Sequence, residues 1–98
     1  MKKKYLILLL FFIGMLAGYS QNTIVKGKVS DATGLPLPGA NVSVKGTKTT
    51  VATDIDGMYQ IETTKGATLV FSFIGFINQE IKVSDNLLNV KLKEGGET

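Results

Sequence analysis

Apolar and polar side chains alternate with a period of two in several short stretches of this chain. The alternation is clearest where Ala40, Val42 and Val44 are each followed by a polar residue. Because neighbouring side chains of a β-strand point to opposite faces, this pattern predicts half-buried strands. Seven such stretches follow residue 20, at 24–30, 40–45, 49–53, 58–62, 69–74, 80–83 and 90–93.

Turn-forming residues separate the predicted strands. Residues 31–39 contain two Pro and two Gly, which cannot sustain a ladder of strand hydrogen bonds, so we expect a loop there. At a second corner Asp54 and Asp56 precede Gly57, where carboxylates can accept bonds from nearby amides and Gly can adopt a positive φ. With no helical period after residue 20, the pattern predicts an all-β fold, a small antiparallel β-sandwich of seven strands.

The most apolar stretch after residue 20 is 69–74. Alternate residues place Leu69, Phe71 and Phe73 on one face, while Val70 and Ile74 lie on the other. We therefore expect a central strand that is covered on both sides. Most of the small core should come from five side chains, Val42, Tyr59, Leu69, Phe71 and Phe73.

Residues 1–20 differ in character from the rest of the chain. Lys2, Lys3 and Lys4 precede an apolar run at 5–16, and small residues stand at Gly18 and Ser20. This order predicts a secretory signal peptide over 1–20, cleaved after Ser20. The alternative is a membrane anchor, but a spanning helix needs about 20 apolar residues. The segment also has no Cys for lipoprotein anchoring, and we expect export into the envelope of a Gram-negative bacterium.

Composition narrows the chemistry that is open to the chain. It has no Cys, His or Trp, which removes the common zinc, haem and iron–sulfur ligands and the usual Ser–His and Cys–His catalytic pairs. The net charge of +3 comes from the leader, since eight Lys face eight Asp or Glu after residue 20. A neutral domain without Arg does not suit nucleic-acid binding. We expect no enzyme activity and no cofactor.

Three stretches invite a binding-site interpretation. Residues 54–57 resemble the start of a calcium loop, but the twelve-residue spacing puts Ala52 and Thr63 where carboxylates are required. Gly34 and Gly39 have phosphate-loop spacing without the Lys that should follow. We therefore expect plain turns at both places. The Gly75–Phe76 corner is expected to belong to the core, and the alternative is a partner-binding edge formed by this corner with Ile74 and Ile77.

Several motifs in order resemble a known family. The matching stretch covers about residues 23–93, and it resembles the carboxypeptidase-regulatory-like domain, in particular the copy at the start of SusC/RagA-type TonB-linked outer-membrane transporters. The positions that carry the structural family motif are Gly27, Pro38, Gly39, Ala40, Val42, Gly46, Thr53, Asp54, Asp56, Gly57, Tyr59, Gly75 and Phe76.

The resemblance implies a transthyretin-like or Ig-like β-sandwich over 21–94. From their glycine-rich, polar composition, residues 95–98 are expected to form a disordered tail. It also implies a place in the periplasm, between the signal peptide and the segment that contacts TonB. In the family a plug and a large barrel for glycan or peptide uptake follow, with a SusD-like lipoprotein as lid. This sequence stops at Thr98 instead. We therefore expect a fragment or truncated form that does not itself transport.

Two other functions stay open. The first is a free-standing exported module that recognises an envelope protein or glycan through a strand edge, which needs only backbone groups. The second is the accessory domain of a zinc carboxypeptidase, which would need its catalytic residues on another chain.

Overall fold

A computed structural model describes residues 22–95, which contain all of the β-structure reported below. The predicted signal peptide at 1–20 and the last three residues of the predicted tail lie outside this range. No helix in the described part is long and apolar enough to cross a membrane. The strands are β1 (Asn22–Ser30), β2 (Asn41–Val44), β3 (Thr50–Ala52), β4 (Met58–Thr64), β5 (Thr68–Ser72), β6 (Gln79–Lys82) and β7 (Val90–Lys91).

The seven strands form two sheets that face each other across one core. The three-stranded sheet has the order β4-β1-β7, and the four-stranded sheet has the order β3-β2-β5-β6. Four of the five strand pairings are antiparallel, and β1 pairs with β7 in parallel. The predicted all-β sandwich is confirmed. The parallel pair is a detail that the alternation did not predict.

The core is built from the inward-facing residue of each alternating pair. In β1, Val25 and Val29 are fully buried, while Lys26 is exposed on the outer face. In β5, Leu69 and Phe71 are fully buried. The buried apolar set is Val25, Val29, Leu37, Ala40, Val42, Val44, Tyr59, Ile61, Leu69, Phe71, Val83, Val90 and Leu92. The period-two pattern therefore predicted which face of each strand is covered.

One expectation about the apolar stretch at 69–74 is wrong. The strand ends at Ser72, and Ile74 lies in the following corner with 89% of its surface exposed. Val70 faces outward and is only half-buried. Lys45 reaches across β5 on this face to Glu80 of β6, with 2.8 Å between Nζ and Oε1. The outer face of β5 is thus bordered by an exposed ion pair and carries no second core.

Close approach of two backbones explains a glycine in the middle of β1. Gly27 pairs with Tyr59 of β4, and the Leu88 carbonyl lies directly above it. The Tyr59 hydroxyl donates a hydrogen bond of 2.7 Å to that carbonyl oxygen. The Leu88 amide donates in turn to the Lys26 carbonyl oxygen at 2.9 Å. Because Gly27 has no side chain, the segment leading into β7 can pack directly against β1.

Burial raises the pKa of Tyr59 to about 12. Because the fold favours the neutral phenol, this contribution to stability is complete below about pH 10 and is lost as the pH rises toward 12. Tyr59→Phe should cost about 1 kcal/mol at neutral pH through the lost hydrogen bond, and it should remove the tyrosine part of the alkaline destabilisation. Urea unfolding of both proteins at about pH 9 and about pH 11 measures the difference. Equal losses in both proteins would contradict the assignment, since lysine ionisation is common to the two.

Candidate functional site

Loops from both sheets gather at the end of the sandwich where β1 and β5 finish. We call it the Gly95 end. It consists of the loop 31–40, the turn 53–57, the corner 73–77 and the segment 92–95. It is the candidate functional site, because it carries most of the predicted motif and the most exposed apolar side chains.

Backbone hydrogen bonds join these four segments in a row. The Ile77 amide donates to the Lys93 carbonyl at 2.9 Å, and the Leu92 amide donates to the Ser30 carbonyl at 2.8 Å. The Leu37 amide then donates to the Val29 carbonyl at 3.0 Å, and the Val29 amide donates to the Gly57 carbonyl at 2.8 Å. The four segments are thus linked to one another through Val29 and Ser30 at the end of β1.

Gly95, which was expected to begin the disordered tail, belongs to this surface. Its amide donates a hydrogen bond of 3.0 Å to the Gly75 carbonyl oxygen. Phe76 and Glu94 form an antiparallel bridge beside it. The chain therefore stays fixed to the corner 73–77 through the last residue that the structure describes.

A buried threonine connects the loop 31–40 to the turn 53–57. The Thr53 hydroxyl donates to the Leu37 carbonyl and accepts a hydrogen bond of 2.9 Å from the Ala40 amide. The Thr53 carbonyl also accepts from the Gly39 amide at 3.0 Å. Ala40 is fully buried, whereas Pro38 stays exposed between these contacts. The motif around Pro38 and Gly39 thus has a structural partner in Thr53.

Replacing Thr53 by Val keeps the shape of the side chain and removes both hydroxyl bonds. We expect a loss of about 2 kcal/mol, because the buried Leu37 carbonyl and Ala40 amide lose a partner. Urea unfolding measures the loss. Thr49→Val is the matched control, since Thr49 is exposed in the turn before β3 and should change stability by less than about 0.5 kcal/mol. Equal effects of the two substitutions would contradict this role of Thr53.

Two aspartates close the exposed turns. Asp54 Oδ1 accepts from the Asp56 and Met58 amides, both at 2.9 Å, and Gly57 has a φ of 78° as the turn predicted. Asp31 Oδ1 accepts from the Thr33 hydroxyl at 2.7 Å and from the Leu35 amide at 3.0 Å. The hydrogen bond from the Thr33 side chain is the main reason that the pKa of Asp31 is lowered. Both carboxylates stabilise the loops in which they lie.

Large apolar side chains project from these turns into solvent. Leu35 is 64% exposed, Ile55 is 81% exposed, Ile74 is 89% exposed and Ile77 is 55% exposed. The expectation of a core corner at Gly75–Phe76 is right only for Phe76, which is half-buried with its ring centroid 5.7 Å from that of Phe73. Ile74 and Ile77, which the alternative placed in a partner-binding edge, are exposed. We call Leu35, Ile55, Ile74 and Ile77 the terminal patch.

The two ends of the sandwich differ in charge. The four segments of the Gly95 end carry four carboxylates and one lysine, namely Asp31, Asp54, Asp56, Glu94 and Lys93. The turns of the opposite end, at 45–49, 64–67 and 83–86, carry three lysines and one aspartate. The segments that carry the terminal patch are therefore acidic overall, and the turns of the opposite end, which we call the basic end, are basic overall.

Two features of the described residues bear on metal and ligand binding. Within 22–95 no three His, Cys, Asp or Glu side chains lie close enough together to hold a metal ion. A shallow groove at the basic end includes Glu62 and Thr63. The buried Thr63 hydroxyl has no hydrogen-bond partner among residues 22–95. The chemistry that the Gly95 end supports is recognition through apolar contact and charge.

The motif residues fall into four places. Gly27 and Tyr59 contact each other in the three-stranded sheet, Val42 is in the core, and Gly46 lies alone at the basic end. The other motif residues lie at the Gly95 end, and they are Pro38, Gly39, Ala40, Thr53, Asp54, Asp56, Gly57, Gly75 and Phe76.

Sequence patterns alone missed two members of the terminal patch, Leu35 and Ile55. Each is a large apolar residue flanked by turn formers, and that arrangement was the available clue.

The family profile and the related sequences indicate the same family. The profile of the CarboxypepD_reg-like domain matches residues 25–96. The TonB-dependent receptor SusC of Bacteroides thetaiotaomicron is 47% identical over 79 residues, which is 81% of this chain and 8% of that receptor. The TonB-dependent receptor P39 of Formosa agariphila is 34% identical over 91 residues, 91% of this chain and 9% of that receptor. The chain thus spans less than a tenth of the length of these relatives.

A solved structure supports the fold alone. A type II cohesin–X-dockerin complex from Acetivibrio cellulolyticus contains a chain that superposes with a TM-score of 0.52 at 20% identity. The match covers 70% of this chain and 52% of that one. The family profile, by contrast, matches most of the sequence, and the relatives are receptors, not members of enzyme families. This chain belongs to the CarboxypepD_reg-like domain family, in the form found in SusC-type TonB-dependent receptors.

Proposed function

We propose that this chain is the N-terminal periplasmic accessory domain of a SusC/RagA-type TonB-dependent outer-membrane receptor for glycan or peptide uptake. It does not itself transport. Its partners are the rest of the receptor and a SusD-like lipoprotein, and it reaches the periplasm through the signal peptide at 1–20. The observation that carries the proposal is the 47% identity to SusC over 81% of this chain.

The structure supports an accessory role over a catalytic one. The connected loops of the Gly95 end present apolar side chains and carboxylates, which suit contact with another protein surface. The last described residue also lies at this end, beside the corner 73–77. A domain of this kind fits between an exported N-terminus and a larger receptor body.

A domain exchange tests the proposal. The region of the Bacteroides thetaiotaomicron receptor that aligns with this chain is replaced by residues 22–95, and substrate uptake by the cells is measured. We expect the chimera to restore uptake that deletion of the region lowers. The matched control is the same chimera with Phe71→Ala, which should lose function because the core collapses.

The level of receptor in the outer membrane separates folding from function. A chimera present at the normal level that imports no better than the deletion would contradict the proposal. Secretion of a tagged full-length chain tests the leader separately. A chain that stays in the cytoplasm would contradict its export.

A further inference from the structure

We propose that the terminal patch is a docking surface for a basic, apolar face of the receptor body. The inference rests on the proposed function and names the partner surface that the Gly95 end recognises. It starts from the exposure of Ile74 and Ile55, which are 89% and 81% exposed. Large apolar side chains grouped at one end of a small domain mark a contact surface.

Hydrogen bonds hold the backbone of the turns that carry these side chains before any partner arrives. Ile55 lies within the turn that Asp54 closes. The Leu35 amide donates a hydrogen bond of 3.0 Å to Asp31 Oδ1. Ile74 precedes the Gly75 carbonyl, which accepts from the Gly95 amide. Binding therefore orders few loop residues, and this lowers the entropic cost of association.

Charge selects the chemistry of the partner. The four segments that carry the patch also contain four carboxylates and a single lysine. A partner with lysine or arginine beside an apolar face gains attraction to these carboxylates. A second copy of the domain would bring the same carboxylates together, and an anionic lipid surface would also be repelled. The charge thus favours a basic protein face over self-association or membrane contact.

The course of the chain places such a partner nearby. The segment 92–95 runs along the corner 73–77, with the Ile77 amide bonded to the Lys93 carbonyl. In the proposed receptor, the polypeptide continues from this point. The receptor body is therefore tethered beside the patch, and tethering raises its effective concentration there.

The test uses isotopically labelled residues 21–98, since the described part contains both sheets and the whole core. The probe is the Bacteroides thetaiotaomicron receptor without its matching region, purified in detergent. We expect signals of Ile55, Ile74 and Ile77 to shift or broaden on addition, and higher salt to weaken the effect. Ile74→Glu should weaken binding by about tenfold or more. The matched control is Leu87→Glu, since Leu87 is 66% exposed on the flank of β1 and should bind as before.

Several results would overturn the inference. The first is that the domain and the receptor body do not bind, and the second is that Ile74→Glu and Leu87→Glu weaken binding equally. The others are signal shifts centred on the basic end, signal shifts that detergent alone causes, and dimerisation of the domain through the patch. The domain exchange tests the proposed function separately. If the chimera imports normally but the patch binds nothing, the proposed function stands and this inference is wrong.

Discussion

Phe71→Ala should lower the free energy of unfolding by about 3 to 5 kcal/mol, the largest loss we expect from one core side chain. Phe71 is fully buried in the central strand β5, and its ring meets Tyr59 edge-on with centroids 5.5 Å apart. Truncation removes apolar contacts to both sheets and leaves a cavity between them. Small domains have little stability in reserve, so a large unfolded fraction should be present at about 37 °C.

Urea unfolding followed by circular dichroism measures this loss. Phe73→Ala is the matched control, because Phe73 lies two residues further along and is only partly buried against the core. It should cost clearly less. A Phe71→Ala protein that melts within a few degrees of the parent would show that the core is not centred on this ring.

Gly27→Ala should cost more than about 3 kcal/mol, beyond the usual range for an added methyl group in a core. A Cβ at this position would lie 1.7 Å from the Leu88 carbonyl oxygen and 2.6 Å from the Leu88 carbonyl carbon. These are backbone atoms, so no rotamer change relieves the clash. The segment before β7 has to move away, and the Tyr59 hydrogen bond breaks with it.

Gly46→Ala tests the second role of glycine in this fold, which is to adopt a positive φ. Gly46 has a φ of 81°, and a methyl group added there would meet no other atom within 4 Å. Its substitution therefore adds conformational strain alone, about 1 to 2 kcal/mol. Thermal unfolding of the two variants ranks the effects. If Gly27→Ala is the milder change, the backbone does not approach as closely as the structure shows.

Alternation in the sequence predicted the strands and the buried faces, because burial of one face imposes a period of two. It placed Val25, Val29 and Leu69 inward correctly. It could not give the direction of β7, since Val90 and Lys91 alternate in the same way beside a parallel or an antiparallel neighbour. It also extended β5 to Ile74, because the apolar run continues past the residue where strand pairing stops.

The candidate site was harder to predict than the fold. Turn chemistry identified the corners at 31–39 and 54–57, but alternation says nothing about which corners share an end. That information lies in long-range hydrogen bonds, such as the one from Leu92 to Ser30. The contact of the Leu88 carbonyl with Gly27 was hidden for the same reason, since a glycine in a strand indicates a close neighbour without identifying it.

The parallel pairing of β1 with β7 has a mechanical consequence. Asn22 lies at the basic end and Gly95 at the other, so a pull on both would drag β1 and the segment after Asn86 in opposite directions along their lengths. Hydrogen bonds from Lys26 to Asn86 and from Leu92 to Ser30 would then be loaded together in shear. Bonds that are loaded in shear have to break together. The domain therefore resists tension between its two ends better than it would if the strand pairs could separate one after another.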